Sequence, residues 1–224
     1  MLIQVRGVVK SYVKGSENVL VLDGVDLDVD AGEWVSLMGP SGSGKTTLLN
    51  LIGGLDVPDA GSIRVNDDEM VGRTNAELAA WRSRNVGYIF QLYNLLPVLD
   101  AFQNVEMPLL LTNLSRKERR EHVMTALELV GLSDRVDHYP AQLSGGQNQR
   151  VAIARAIVAD PAFLLADEPT GDLDRKSAED VLNLLEDLHT RFKKAIVMVT
   201  HDPHCAERAD RLVHLEKGVI VADA

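Results

Sequence analysis

The chain has 224 residues, 46% of them hydrophobic, enough for one α/β domain with an insertion or for two small domains. Its 23 Lys and Arg stand against 33 Asp and Glu, a formal net charge of −10, so the basic footprint of a nucleic-acid binder is missing and only local basic patches remain open. A single cysteine, Cys205, excludes an internal disulfide and fits a reducing compartment, with cytoplasm as the expected one.

No run approaches the ~18 consecutive apolar residues of a membrane-spanning helix, and Met1 to Arg6 lack the basic-then-apolar layout of a signal peptide. Neither an internal repeat nor a heptad run nor a low-complexity linker divides the sequence, which predicts one compact unit. In chain order, Leu2 to Val5 has strand character, and Val25 to Val29 alternates as a half-exposed antiparallel strand should. Tyr12 and a polar, hairpin-like stretch from Lys14 to Asn18 lie between them.

Trp34 to Met38 predicts a buried strand, and Thr47 to Ile52 a helix that Gly53-Gly54 ends. Between them Gly39-Pro40-Ser41-Gly42-Ser43-Gly44-Lys45-Thr46 fits G-x-x-x-x-G-K-[ST] at every fixed place. Glycines at 39, 42 and 44 let the backbone curl until several N–H groups face one point, where the positive end of the helix dipole adds its pull. Phosphate is the natural guest of such a loop. Lys45 then reaches the β- and γ-phosphates as a point charge, and the Thr46 hydroxyl holds a bridging Mg²⁺. The rival explanation is a glycine-rich turn that matches by accident, and the strand-before, helix-after context argues against it. The motif alone does not name the P-loop family.

Asp59-Ala60-Gly61 predicts a turn into the strand Ser62 to Val65, followed by a helix near Asn75 to Arg84 and a strand from Val86 to Phe90, with Gln91 at its end. From Leu92 to Ala159 helical periodicity replaces strand-like runs, which predicts a helical subdomain at 92–159 inserted into a core formed by 1–91 and 160–224. Ser115 to Glu118 reads as a capping box, Val123, Leu127 and Val130 share one face, and Gly131 is the C-cap candidate. The charge run Arg116 to Glu121 reads as a solvated helix face. Leu143-Ser144-Gly145-Gly146-Gln147 opens a further helix, again with a hydroxyl and two glycines at a positive terminus.

Ala162 to Ala166 and Ala195 to Val199 are continuous apolar runs, expected as central parallel strands joined by a crossover helix from Lys176 to Arg191. A terminal hairpin around Gly218 pairs Arg211 to Leu215 with Val219 to Val221. Asp167 and Glu168 at the end of the first run supply the carboxylates a P-loop needs, Asp167 for the magnesium shell and Glu168 to orient and deprotonate water. A solvated strand end before Pro169 is the plainer alternative. The expected fold is α/β, a P-loop NTPase core with a mostly parallel sheet, an antiparallel β subdomain and an inserted α-helical subdomain. If the Ser144 site lies on the insertion, one chain cannot easily bring it to the phosphate at Lys45, whereas two chains arranged head to tail can.

With LSGGQ at 143–147 downstream of the P-loop, the chain resembles, over essentially its whole length, the nucleotide-binding subunit of ATP-binding cassette (ABC) transporters. The resemblance implies an ATPase with ATP and Mg²⁺ as cofactors, bound along Gly39, Ser41, Gly42, Ser43, Gly44, Lys45, Thr46 and Thr47. It implies that Ser144, Gly145, Gly146 and Gln147 meet the γ-phosphate held by the opposite copy, so that ATP joins a homodimer. Gln91 matches the family's glutamine loop, touching magnesium and the attacking water. His201 matches the switch histidine at the γ-phosphate. A satisfied histidine is the alternative there, and with His204 and Cys205 nearby the spacing fits no usual zinc pattern. Asp174, in Gly171-Asp172-Leu173-Asp174, is placed to couple the two sites or to cap a helix. Tyr12 resembles the aromatic that stacks on adenine, with a core tyrosine as its rival.

VGYIFQLYNLLP at 86–97 and ADEPTGDLD at 166–174 are most similar to the branch serving lipoprotein-release, macrolide-efflux and cell-division complexes. That resemblance implies an integral membrane permease as partner, a cytoplasmic position on the inner face of the membrane, and no nucleic acid. Leu95-Leu96-Pro97-Val98 is then part of a docking groove, or else core. Asn148 and Asp172 depart from the family's usual residues, neither at an expected phosphate ligand. A soluble ABC ATPase acting on nucleic acid or the ribosome, and a module that binds without hydrolysing, are the competing classes.

Overall fold

The computed structural model describes residues 1–221. It opens with a long antiparallel hairpin of β1 (Ile3–Lys14) and β2 (Glu17–Val29), paired from Ile3 opposite Val29 to Lys14 opposite Glu17 with register shifts between Val5 and Ser11. Both strands run further than the sequence pattern predicts. The extra length carries Tyr12, Val13, Val19 and Leu20, all exposed, so no apolar alternation marks it. Near the base, Ile3, Val5 and Val8 face Leu22, Val25 and Val29 in the core.

β3 (Trp34–Met38) is buried almost throughout and delivers the chain to α1 (Lys45–Ile52). β4 (Ala60–Val65) pairs with β1, and β5 (Asp68–Glu69) adds a short edge, completing an antiparallel sheet in the order β2-β1-β4-β5. α2 (Asn75–Asn85) starts at a Thr74–Glu77 capping box and passes into β6 (Val86–Ile89).

No strand occurs between Phe90 and Ala162, where α3 (Ala101–Glu106), α4 (Arg116–Leu129) and α5 (Gly145–Ile157) pack together. Ser115 and Glu118 close the expected capping box on α4, and Gly131 follows its end at φ 70°. β7 (Phe163–Asp167), α6 (Arg175–Phe192) and β8 (Ala195–Val199) form the crossover unit. The short α7 (Pro203–Ala206) and the hairpin β9 (Arg211–Glu216) and β10 (Val219–Val221) finish the chain.

The second sheet runs β10-β9-β3-β8-β7-β6, parallel except at β10. One of its faces packs with α1 and the antiparallel sheet, the other with α5, α6 and the helical segment. Val181, Leu182, Leu185 and Leu188 give α6 its buried stripe, worth roughly 6–12 kcal/mol before chain entropy is subtracted. The carboxyl ends of β3, β6, β7 and β8 lie along one edge of this sheet, where ligands of open α/β folds bind.

Candidate nucleotide-binding site

The glycine loop leaves β3 under tight steric control. At Gly39, φ is 151° and a Cβ would stand 2.0 Å from the Leu215 carbonyl oxygen; at Gly44, φ is 103° and a Cβ would stand 2.8 Å from that of Val21. The loop is therefore wedged between β2 and β9, and only glycine fits at either place. α1 starts at Lys45 with Gly44 as its cap and no side chain on the free N–H groups of its first turn. Buried Ser43 turns its Oγ inward without a partner. The Lys45 ammonium donates to the carbonyls of Gly39 at 2.7 Å and Pro40 at 2.9 Å.

Thr46 Oγ1 donates to Asp167 Oδ1 across 3.2 Å, joining the start of α1 to the end of β7. Burial pushes the Asp167 carboxyl up, partly opposed by the Thr46 hydroxyl. A hydroxyl and a carboxylate are hard oxygen donors, and two of them fit Mg²⁺, which keeps its other positions for phosphate and water. Glu168 follows at φ 46°, held by its N–H to the Val199 carbonyl at 2.9 Å and by the Gly171 N–H to its own carbonyl at 3.1 Å. His201, leaving β8, brings Nδ1 to 3.0 Å from Glu168 Oε2. A cavity of about 600 Å³ collects Tyr12, Ser41, Gly42, Gly44, Lys45, Thr46, Thr47, Glu168 and His201.

Gln91 is not in that lining. It sits beside it: a Cβ on Gly171 would lie 3.1 Å from Gln91 Nε2 and 3.4 Å from Glu168 Oε2, so the glycine lets amide and carboxylate approach the same spot. Tyr12 reaches the cavity from β1, half exposed, its hydroxyl donating to Asp56 Oδ2 at 2.6 Å. Burial, with the hydrogen bond and charge of Asp56, pushes that hydroxyl up to about 12. The other Asp56 oxygen accepts from the buried ammonium of Lys10 at 2.9 Å. Sequence reasoning did not find this support, because Lys10 and Asp56 meet only once β1 has crossed the loop after α1.

Ser144, Gly145, Gly146, Gln147 and Asp174 form a separate cluster and line no part of the 600 Å³ cavity. Ser144 caps α5, accepting from the Gln147 N–H at 3.3 Å while Gln147 Oε1 accepts from the Ser144 N–H at 2.9 Å. Gly146 abuts Ser177, whose hydroxyl donates to Asp174 at 2.6 Å, and Asp174 caps α6. The side chains of Ser144, Gln147 and Asp174 are thus all engaged with their own helix termini; Ser144 and Gly145 are exposed, while Gly146 is buried. Asn148 donates to the carbonyls of Pro140 and Leu143, and Asp172 is exposed. His204 bonds Glu179, while Cys205 is buried against Thr170.

A phosphate cradle on a helix start, a strand-end carboxylate pair and a carboxyl-edge cavity define a P-loop nucleoside triphosphatase. Residues 22–171 match the family described as ABC transporter, and the chain belongs to that family as one of its ATP-hydrolysing subunits. The lipoprotein-releasing system ATP-binding protein LolD of Chromohalobacter salexigens is 43% identical, over 100% of this chain and 94% of its own length. The macrolide export ATP-binding/permease protein MacB of Rhodopseudomonas palustris is 46% identical over 99% of this chain, which spans 34% of that longer protein. Among solved structures, the dimeric ATP-binding cassette MJ0796 in a post-hydrolysis state with ADP and Pi aligns at a TM-score of 0.92 and 40% identity, covering 100% of this chain and 98% of that one. The resemblance to transporter subunits therefore extends over the whole chain, and the nucleic-acid alternative is not favoured.

Proposed function

We propose that two copies of this chain close head to tail on ATP and that hydrolysis, ATP plus water to ADP plus phosphate, parts them to drive a membrane permease of the lipoprotein-release or macrolide-export type. The observation that carries this reading is that Ser144, Gly145, Gly146 and Asp174 lie outside the cavity that Lys45, Thr46, Glu168 and His201 line within one chain. Lys45 and the loop 39–47 grip the phosphates of one ATP, Tyr12 takes its adenine, and Ser144, Gly145 and Gly146 of the other copy complete the grip. Asp174 stands at the seam, where it couples the copies.

Thr46, Asp167 and Gln91 are the groups that hold Mg²⁺, which when bound neutralises charge building on the leaving phosphates. Glu168 orients the water and takes its proton, and His201, paired to Glu168, faces the terminal phosphate. In this reading 1–91 and 160–224 form the catalytic core and 92–159 the helical arm that presents Ser144. No described helix is long and apolar enough to cross a membrane. In this reading the chain docks on its permease at the cytoplasmic face, as the transporter-subunit relatives suggest.

The loop after Gln91 supplies the contact. Leu96 is 43% and Val98 77% exposed, and buried Asn104 holds the loop open by bonding the Leu96 N–H and the carbonyls of Leu96, Leu99 and Asp100. Leu96→Glu is expected to abolish pull-down of the membrane subunit while basal ATPase persists; intact pull-down removes the docking assignment. A Glu168→Gln chain that stays monomeric with saturating ATP, alone and beside its permease, removes the head-to-tail reading itself.

A further inference from the structure

Helix α5 begins at the Ser144 tip, yet two polar side chains further along it reach back to the other cluster. Gln149, fully buried, donates from Nε2 to the Phe90 carbonyl at 3.3 Å and the Pro169 carbonyl at 2.6 Å. Phe90 immediately precedes Gln91, and Pro169 immediately follows Glu168. Arg155 donates to the carbonyls of Asn94 at 2.5 Å and Tyr93 at 2.7 Å, two residues held at positive φ. The segment bearing Gln91 is therefore tied to α5 on both sides, and Glu168 is tied to the same helix through Pro169.

Both partners of Gln149 are carbonyls, which only accept, so the amide orientation is fixed with its NH₂ toward them. The remaining atom, Oε1, is buried without a partner. A methionine or leucine would fill this position and remove the orphaned Oε1, but would take the donor away from the Phe90 and Pro169 carbonyls. The glutamine is therefore explained by what it holds, two backbone carbonyls that adjoin Gln91 and Glu168, and not by its volume.

We propose that Gln149 is a positioning residue: its amide locks the backbones carrying Gln91 and Glu168 to the helix that starts at Ser144. One turn of α-helix separates Gly145 from Gln149, and a helix is stiff over that length. Displacement of the Ser144 tip therefore carries the amide, and with it both carbonyls. The cross-site part rests on the head-to-tail reading, in which that tip meets the ATP of the other copy; Gln149 then links the two ATP sites of the dimer within one side chain.

The test uses the full chain with Gln149→Met, close in volume and without donors, and Gln149→Leu as a second variant. Steady-state turnover is expected to fall about tenfold while KM for ATP stays within about twofold. Backbone hydrogen exchange is expected to quicken at 90–94 and 168–171 and to stay unchanged in β3 and α1. Wild-type turnover in either folded variant overturns the proposal. So does a loss of turnover accompanied by faster exchange on both packed faces of the parallel sheet, the mark of a residue that only stabilises the fold. Sizing of Glu168→Gln with ATP separates the two readings: a monomer there removes the cross-site link, whereas unchanged turnover in Gln149→Met beside a normal dimer removes the positioning role alone.

Discussion

Asp56 stands where two supports meet, so its removal has a magnitude that follows from the structure. The Lys10 side chain is only 9% exposed, and its ammonium has Asp56 Oδ1 at 2.9 Å, the Val57 carbonyl at 2.7 Å and Asp59 Oδ1 at 3.9 Å. Removing one member of a buried ion pair costs ~3–5 kcal/mol, because the other charge is left unpaired. Asp56 is 29% exposed, so water reaches part of the gap, and Asp59 remains as a weaker counter-charge. Asp56→Ala is therefore expected to lose ~2 kcal/mol. Adding Lys10→Met removes the stranded ammonium, so the double variant should be more stable than Asp56→Ala alone. Urea unfolding midpoints, with m unchanged across the set, measure both differences. A loss below ~0.5 kcal/mol, or a double variant as unstable as the two single losses added, refutes the reasoning.

The same carboxylate sets a pH dependence. Burial raises it, but the Tyr12 hydroxyl, the Lys10 ammonium and the Val57 N–H together hold it below the ordinary value, so its contribution is complete above about pH 4 and drains away as pH falls through the folded pKa. The stability gap between wild type and Asp56→Asn should stay flat from about pH 8 to 5 and close below about 4. Glu168→Gln should lower turnover by ~10²–10⁴-fold in a phosphate-release assay, with nucleotide binding retained. Gly39→Ala drives a Cβ onto the Leu215 carbonyl at φ 151°, so nucleotide binding measured by calorimetry should weaken at least about tenfold. Lys193, left-handed at φ 54° after α6, should gain ~0.5 kcal/mol as Lys193→Gly in the same urea assay, with turnover unchanged.

The central strands were legible because residues 34–38, apolar but for Ser36, and the wholly apolar 195–199 are short runs with polar or glycine neighbours, and the glycine loop because its spacing is rigid. The outer hairpin was legible only at its base: Val13, Val19 and Leu20 are exposed, and a strand with no buried face leaves no period-two record. α3 and α7, at six and four residues, are too short for a helical period to register. The Tyr12 support joins residues 44 apart in sequence, which nothing local encodes. Gln149 did leave a trace, since it falls in phase with buried Gly146, Ile153 and Ala156 as the polar member of an apolar stripe.

Lys45, Gln91, Asp167, Glu168 and His201 all follow or end strands of the parallel sheet at its carboxyl edge, while the far tip of α6 points to the opposite rim. Arg191 stands on that last turn with its side chain 68% exposed, and the sole native thiol, Cys205, is buried. The chain therefore offers a ready handle for optical work: Arg191→Cys presents a single reactive sulfur on a rigid strut remote from the nucleotide, where a dye can report the spacing of paired copies during turnover.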